Sequence, residues 1–449
     1  MTRPLRWQRA WLVALGAFLM ATAAVLAAQG SRRGWMLAVI VPLAFAPVAY
    51  ARLRLFARLG APLAGHPALC WGLAVLAVSA DAVMVAQLLT ARGGGVPGLQ
   101  GDGVMWIGPV WFSAHAIAAL AYGARGLVRL GVRPLRWVAA LIAAGRARAQ
   151  APATGPTADV DALGRRQFLQ QFGFVGAAAP FAVSLTGVPL SYDFRVDEHE
   201  IELPHWPRAL DGLRVAHLSD IHVGGAMDHD RLMHVAALTA AARPDLILHT
   251  GDFLTHRQGD FDLPLYAALA TLSPPHGQWA CLGNHDFDDP ERLMRRMREA
   301  GVTVLRDALA TVTIAGQALE IAGLDFGFDR ANRAASAARR IDRWPARSAT
   351  PRLLLLHDPS EFGLLPAACA DLVLSGHTHG GHIGVQLGRG AALTVVGLAG
   401  IPDQGVFERG DMRLFVTRCV GFYGYPMRVG IPPEIAILTL RAPRIVTAA

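Results

Sequence analysis

Five short apolar segments in the second half of the chain are each followed by polar side chains of the types that bind metal ions. Helix-length stretches separate most of these segments, an alternation typical of α/β folds. Open α/β sheets place their functional groups at the carboxyl ends of the strands, so the pattern predicts one site at that edge of a sheet. The segments are 213–218 before Asp220 and His222, 246–250 before Asp252, 278–282 before Asn284, His285 and Asp286, 353–356 before His357, and 372–374 before His377 and His379.

Each of these endings has an ordinary alternative interpretation when it is taken singly. Gly-Asp and His-Asp-Pro also occur in plain turns, and paired histidines are common on protein surfaces. In the last ending, however, the strand stops at Gly376 before a His-Thr-His turn, and Gly380 and Gly381 after it leave room for a ligand to approach the backbone. Because chance is a poor explanation for all five endings together, we expect a metal site.

The side chains after the five segments indicate which metals would suit the site. Carboxylate, amide oxygen and imidazole groups favour Mn, Fe or Zn over a metal that prefers thiolate, and no cysteine is expected at the site. The four cysteines lack a Cys-x-x-Cys spacing, so neither a zinc knuckle nor a disulfide framework is indicated. His217 and His249 lie within predicted strands, where we expect them to be hydrogen-bonded core residues.

The first half of the chain contains long apolar runs. Residues 11–28, 35–51, 67–91 and 104–124 are each close to the roughly 20 apolar residues that cross a bilayer, and 168–190 is a fifth, less apolar candidate. With 53% hydrophobic residues, 17% charged residues and a mean hydropathy of +0.34, the chain is more apolar than an ordinary soluble enzyme. Buried helices of a soluble protein are the alternative, but the runs have almost no amphipathic face. We therefore expect a membrane helical region followed by a soluble domain.

Arginines in the connections between the runs predict the orientation. Three precede the first run, three follow the second and eight lie between the fourth and the fifth, whereas the alternate loops carry only Arg32, Arg33 and Arg92. The positive-inside rule then places the C-terminal half on the outer, periplasmic face of the cytoplasmic membrane. Because many arginines lie in these short loops, the net charge of +8 and the pI near 10.0 do not predict a nucleic-acid partner.

The segment between the membrane region and the soluble domain has two parts. Residues 150–161 are rich in Pro, Ala and Thr and predict a flexible linker. Arg165-Arg166 and the apolar run after it resemble a twin-arginine export signal inside the chain, and the basic flank of a fifth helix is the alternative. The predicted organisation is a transmembrane region of about four spans at 1–145, a linker at 146–164, the twin-arginine-like segment or fifth span at 165–190, and the soluble domain at 191–449.

The ordered set Asp-x-His, Gly-Asp, Gly-Asn-His-Asp, His and Gly-His-x-His resembles the signature of the calcineurin-like metallophosphoesterases, over about residues 203–440. The most similar group is the bacterial membrane-associated or exported phosphoesterases, which also includes vertebrate transmembrane proteins with such a domain. The resemblance implies an α/β sandwich of two mixed sheets flanked by helices, with two divalent metal ions and attack by metal-bound hydroxide. In the implied roles, Asp220, His222, Asp252 and His379 bind one metal, Asp252, Asn284, His357 and His377 bind the second, and His285, oriented by Asp286, stabilises or protonates the leaving oxygen.

The implied function is hydrolysis of a phosphomonoester or phosphodiester, and a lipid or cell-envelope phosphate is favoured because the spans hold the domain near a bilayer. One alternative is pyrophosphate hydrolysis of the UDP-2,3-diacylglucosamine type in lipid A synthesis, which the outward orientation disfavours. Another is a membrane sensor or transporter that uses Asp81 and His115, two ionisable residues within predicted spans, with a regulatory phosphoesterase-like domain. His382, where relatives commonly have Gln, is expected to be a neutral replacement or a substrate contact. Arg428 is expected to be a surface residue or a phosphate contact.

Overall fold

The computed structural model describes residues 182–443 with gaps, together with Ala114 and Ala179; the gaps are residues 225, 256–261, 330–331, 346, 348, 389–390 and 423–425. The chain forms two compact units, residues 1–90 with 101–185 and residues 91–100 with 186–449. Within the described residues, no helix is both long and apolar enough to cross a membrane. Apart from those two alanines, the predicted spans up to residue 181, the linker and the part of the twin-arginine-like segment before residue 182 lie outside the described residues, whereas residues 182–190 form a helix.

The first sheet carries three of the five predicted strands. Its members are β1 (Arg195–Glu202), β2 (Leu213–Leu218), β3 (Leu246–His249), β4 (Gln278–Ala280), β5 (Val302–Val304) and β14 (Glu434–Arg441), in the order β1-β14-β2-β3-β4-β5. β2 to β5 pair in parallel, whereas β14 pairs antiparallel with β2 and parallel with β1. The carboxyl ends of β2, β3 and β4 therefore meet at one edge, as predicted.

The second sheet carries the other two predicted strands. It consists of β6 (Ala308–Ile314), β7 (Gln317–Leu324), β8 (Arg352–Leu356), β9 (Leu372–Ser375), β12 (Gly405–Arg409) and β13 (Met412–Val416), in the order β12-β13-β9-β8-β7-β6. β7, β8, β9 and β13 are parallel, and the edge strands β6 and β12 are antiparallel to their neighbours. A separate antiparallel hairpin consists of β10 (Gly384–Gly388) and β11 (Ala391–Thr394).

Helices connect many of the strands. They are α1 (His229–Ala241), α2 (Leu263–Leu269), α3 (Pro290–Glu299), α4 (Arg333–Ile341) and α5 (Val395–Leu398). The side chains of Asp228 and Asp289 accept backbone N–H groups in the first turns of α1 and α3, which satisfies donors that a helix leaves unpaired. The helix-length stretches predicted between the first three strands are confirmed, because α1 and α2 lie there.

The two sheets pack face to face, and helices cover their outer faces. Alternate residues of a strand point to opposite faces of its sheet. Accordingly, Val215, Leu248 and Leu355 lie in a buried cluster shared by the two sheets, whereas Ala216 and Ile247 pack with side chains of α1, α2 and α3. The outer face of the second sheet packs against α4 in the same way. The predicted α/β sandwich of two mixed sheets flanked by helices is therefore confirmed.

Candidate metal centre

A first group of predicted ligands follows β2, β3 and β9. His222 Nε2 lies 3.8 Å from Asp220 Oδ1 and 3.6 Å from Asp252 Oδ2. His379 Nε2 lies 3.3 Å from Asp220 Oδ1. Two ligand atoms that are each about 2.1 Å from one ion, at tetrahedral to right angles, are roughly 3.0–3.4 Å apart. The four side chains are therefore close to the spacing that one cation requires.

A second group follows β3, β8 and β9. His357 Nε2 lies 3.3 Å from Asp252 Oδ2 and 3.1 Å from His377 Nδ1. Asp252 belongs to both groups, because its Oδ2 adjoins His222 on one side and His357 on the other. Its second oxygen, Oδ1, accepts the backbone N–H of His285 at 2.8 Å. The carboxylate is thus held by the loop after β4 while Oδ2 faces both groups.

Hydrogen bonds at the far side of two rings fix which nitrogen carries the proton. His357 Nδ1 lies 2.6 Å from the carbonyl oxygen of Thr250, and His379 Nδ1 lies 3.3 Å from that of Gly421. A carbonyl oxygen only accepts, so each Nδ1 donates its N–H, and a neutral ring presents the lone pair of Nε2 to the carboxylates. A ring nitrogen that faces a carboxylate oxygen at these distances needs either a proton or a bound cation between the two atoms.

The electrostatics of the second group favour a positive charge among its members. Burial lowers the pKa of His357, but the carboxylates of Asp252 and Asp220 outweigh it and raise the pKa to about 10. Burial raises the pKa of Asp252, yet His357 brings that pKa below its ordinary value. A proton and a metal ion therefore compete for this position. Asp220 Oδ1 and Asn284 Oδ1 are buried acceptors without a hydrogen-bond partner among the described residues, and a cation satisfies both.

Two motif glycines make room for the ligand carboxylates. A Cβ on Gly376 would lie 2.2 Å from Asp220 Oδ2, and one on Gly283 would lie 2.2 Å from Asp252 Oδ1, whereas real Cβ contacts stay beyond 3.0 Å. Each glycine thus permits a close approach that any side chain would prevent. At Gly380 and Gly381, where the sequence predicted room for a ligand, an added Cβ would instead meet side chains of Arg418, Ile431 and Thr394.

Five of the predicted ligands have a left-handed backbone, which residues other than glycine rarely adopt. The φ angles are 53° at Asp220, 50° at His222, 52° at Asp252, 67° at His377 and 51° at His379. Such strained conformations cluster at functional sites, where the surrounding structure holds them. The loops after β2, β3 and β9 are therefore shaped to aim these side chains.

Asp220 is held through its second oxygen by three donors. Ser219 Oγ donates to Oδ2 at 2.5 Å, the backbone N–H of His377 at 2.8 Å and Cys419 Sγ at 3.1 Å. Burial raises the pKa of the Cys419 thiol well above its ordinary value, so the thiol keeps its proton and donates. The expectation that no cysteine lies at the site is wrong, because Cys419 follows β13 and β13 pairs with β9. Because all three donors bind Oδ2, the other carboxylate oxygen of Asp220, Oδ1, is available to bind a cation.

A buried hydrogen-bond chain continues from Ser219 into the first sheet. Thr250 Oγ1 donates to Ser219 Oγ at 2.7 Å, and His217 Nε2 lies 2.9 Å from Thr250 Oγ1. Ser219 donates its proton to Asp220, so its oxygen accepts from the hydroxyl of Thr250. The oxygen of Thr250 in turn accepts from Nε2–H of His217, where the chain begins. Burial lowers the pKa of His217 to about 3, so the ring is neutral. The sequence predicts a core histidine here but gives no signal that it reaches a metal ligand.

Asp286 and His285 have different partners from those predicted. Asp286 is buried and accepts the backbone N–H groups of Phe253 and Gly283, both at 2.9 Å. Its carboxylate therefore ties the loop after β3 to the loop after β4. His285 Nδ1 lies 3.1 Å from the carbonyl oxygen of Thr255, which gives the ring an orienting contact other than the predicted Asp286.

Comparison with known proteins assigns this arrangement to a family. The model for the family described as calcineurin-like phosphoesterase matches residues 213–381, which contain every predicted metal ligand. The chain contains a calcineurin-like phosphoesterase domain. The predicted enzyme class, a metal-dependent phosphoester hydrolase, is thereby confirmed. The metal ligands themselves stay predictions that the geometry of the phosphoesterase domain supports.

Curated relatives of the phosphoesterase domain come from bacteria and animals. The uncharacterized metallophosphoesterase YkuE of Bacillus subtilis is 29% identical over 297 residues, which cover 62% of this chain and 98% of the relative. Phosphodiesterase YaeI of Escherichia coli is 27% identical over 250 residues, 51% of this chain and 82% of the relative. A transmembrane protein with metallophosphoesterase domain of Danio rerio is 28% identical over 258 residues, 55% and 57% of the two chains.

Arg428 of the phosphoesterase domain is fully buried, so its expected position at the surface is wrong. Its guanidinium donates to three carbonyl oxygens, those of His379, Cys419 and Gly421. These three acceptors compensate the guanidinium for its lost hydration. The sequence of a Gly-rich loop does not show that such acceptors surround the arginine. Arg428 therefore fixes the backbone on which His379 and Cys419 lie, and its complete burial makes the alternative role of a direct phosphate contact unsuitable.

Other histidines of the phosphoesterase domain support the site from outside. The ring of His382 lies 4.6 Å from that of His379, and its Nδ1 donates to the carbonyl oxygen of Met427 at 3.2 Å. His382 therefore joins the turn of the Gly-His-Thr-His motif to the segment before β14. His217 and His249 are buried and hydrogen-bonded within the first sheet, as predicted.

Phenylalanines border the second group of ligands. The ring of Phe326 lies 6.0 Å from that of His357 and 5.9 Å from that of His377. Phe328, which is 59% exposed, lies 4.9 Å from Phe326 and 5.1 Å from Phe287. The sequence gives no signal for this aromatic cluster, because Phe326 and Phe328 follow β7, a strand without a predicted ligand.

Proposed function

We propose that the chain is a membrane-anchored phosphoesterase that binds two divalent metal ions and hydrolyses a phosphomonoester or phosphodiester. The observation that supports this most is Asp252 Oδ2, which lies 3.6 Å from His222 Nε2 and 3.3 Å from His357 Nε2. One carboxylate oxygen between the imidazoles of two groups would suit a ligand that two cations share. Asp220, His222 and His379 complete the first site, and Asn284, His357 and His377 complete the second.

The chemistry follows from what the residues hold in place. These residues would hold Mn, Fe or Zn ions, which would supply Lewis-acid charge to the phosphoryl oxygens and would activate water. His285 holds a proton for the leaving oxygen, and the Thr255 carbonyl orients its ring through Nδ1. The exposed ring of Phe328 offers an apolar contact to the organic part of the substrate.

Hydrolysis of bis-p-nitrophenyl phosphate by the purified full chain, with and without Mn²⁺, tests the activity. Asp252→Asn removes the bridging charge, and we expect it to lose the second metal ion together with most of the turnover. Asp230→Asn, at an exposed acid in the first turn of α1, is the matched control and should retain both. Two bound equivalents and full turnover in Asp252→Asn would contradict the two-metal proposal.

The proposed location is the cytoplasmic membrane, with the phosphoesterase domain on its outer, periplasmic face. Support comes from the apolar runs and arginines of the first half, and from the Danio rerio relative, whose name describes a transmembrane protein. A lipid or cell-envelope phosphate is the proposed substrate, because the spans would hold the domain near a bilayer.

Reporter fusions test this orientation. Alkaline phosphatase works only after export, so a fusion after Leu190 should be active and a fusion after Ala151 inactive. The reverse pattern would contradict the outward orientation and favour a cytoplasmic substrate.

A further inference from the structure

Exposed apolar side chains are concentrated on the hairpin of β10 and β11 next to the metal centre and on the short segment that follows it. Twelve large hydrophobic side chains are exposed among the described residues, and five of them lie between residues 385 and 401. The most exposed are Leu387 at 68% and Leu398 at 73%. Exposed apolar side chains that are grouped along the chain in this way are typical of interaction surfaces. This apolar hairpin surface consists of Val385, Leu387, Leu393, Leu398 and Ile401.

In an ordinary exposed hairpin the polar side chains face solvent and the apolar ones face the protein, whereas this hairpin exposes its apolar side chains. Val385 and Leu393 are paired across the two strands, so their side chains share a face, and both are exposed. Gln386, between two exposed apolar residues, is partly buried. From residue 383 to residue 401 the sequence contains no acidic residue and a single basic one, Arg389. Apolar side chains without acids suit a lipid interface whose phosphates are negative.

The base of the hairpin is joined to the end of the predicted fifth span. Gly384 donates its N–H to the carbonyl of Val429 at 2.9 Å, and Arg428 donates its N–H to the carbonyl of Gly187 at 3.0 Å. A Cβ on Gly187 would lie 2.4 Å from Met427 Sδ, so the helix and this segment are in close contact. The segment of Arg428 and Val429 thus lies between the start of the hairpin and Gly187, which is near the end of the predicted span at 168–190.

The same hairpin is also fixed to the metal centre. Thr378, between the two histidines of the turn, donates through Oγ1 to the carbonyl of Asp403 at 2.9 Å. The side chain of Asp403 accepts from Thr394 Oγ1 at the end of β11. A Cβ on Gly381 would lie 2.8 Å from the Cβ of Thr394, so the turn packs directly on the hairpin. Whatever holds the hairpin therefore also positions the metal centre.

We propose that the apolar hairpin surface enters the interface of the bilayer in which the chain is anchored. It holds the metal centre at the depth of lipid phosphates. This inference rests on the proposed membrane location. The bilayer is favoured over a second copy of the chain because the hairpin adjoins the segment that contacts Gly187, and the helix at 182–190 that contains Gly187 lies at the end of the predicted fifth span.

Depth-dependent quenching of a fluorophore tests the proposal. Leu387→Cys carries a nitrobenzoxadiazole label in a Cys70→Ser background, where Cys281, Cys369 and Cys419 are buried and react poorly. The full chain is reconstituted in vesicles of phosphatidylethanolamine and phosphatidylglycerol that contain spin-labelled lipid. An apolar element in the interface lies about 5–10 Å deep, so we expect quenching about twofold or more above the control.

The control is the same label at Val406→Cys, a side chain of β12 that is 45% exposed and lies outside the hairpin. Equal quenching at the two positions would overturn the proposal. Self-quenching at Leu387→Cys that rises with the protein-to-lipid ratio, without lipid quenching, would identify a second copy as the occupant and would also overturn it. The readout requires no turnover, so it stands apart from failure of the proposed enzymatic function.

Discussion

One added methyl group at Gly376 should displace a metal ligand. The Cβ of Gly376→Ala would lie 2.0 Å from Ser219 Oγ and 2.2 Å from Asp220 Oδ2, whereas ordinary contact begins at 3.4 Å. The carboxylate or the turn must therefore move by about 1.2 Å, and the three donors to Oδ2 cannot all follow. A misplacement of about 1 Å can lower the rate about 10²-fold, so we expect at least that loss.

The assay is the initial rate on bis-p-nitrophenyl phosphate with saturating Mn²⁺, together with the metal content after gel filtration. Gly363→Ala is the matched control, because no atom lies within 4 Å of its added Cβ. A thermal midpoint for each variant separates a local displacement from unfolding. If Gly376→Ala stays within about twofold of the wild type and retains its metal, the described contact between the turn and Asp220 is refuted.

Two further predictions concern His285 and the strand histidines. His285→Ala should retain its metal but slow turnover about 10²–10⁴-fold, with a smaller loss for substrates that have good leaving groups; an equal loss across leaving groups would exclude its role as an acid. Burial lowers the pKa of His217 to about 3 and that of His249 to about 4, from 6.5. The unfolded chain then binds protons first, so the free energy of unfolding falls as pH drops from 6.5 towards these values, by about 2 kcal/mol per histidine at pH 5. In His217→Gln, the free energy of unfolding should therefore fall by about 2 kcal/mol less between pH 7 and pH 5 than in the wild type, as measured by unfolding without added metal. The same fall in both proteins would contradict the buried neutral ring of His217.

Local sequence patterns were sufficient to predict the strands and the groups that follow them. The segment at 213–218 coincides with β2, and that at 372–374 falls within β9. Such runs are buried on both faces between a sheet and a helix layer, so their composition is almost purely apolar and their ends are sharp. The side chains after them share an edge because parallel pairing aligns the ends.

Contacts that depend on strand order could not be predicted in this way. Cys419 and Asp220 are 199 residues apart, and they meet because β13 lies beside β9. The burial of Arg428 depends on three carbonyl acceptors whose positions only the folded loop supplies. His217 has the same local pattern as any histidine in a strand, and its role is visible only through the hydroxyl of Thr250.

Thr250 connects the two groups of metal ligands through a single residue. Its hydroxyl donates to Ser219, which holds Asp220, and its carbonyl accepts from Nδ1 of His357. A cation that fixes Asp220 therefore restricts the end of β3, and with it the ring that serves the other cation. If two ions bind as proposed, their uptake would be a linked equilibrium, in which either ion reduces the conformational entropy that remains to be lost by the ligands of the other.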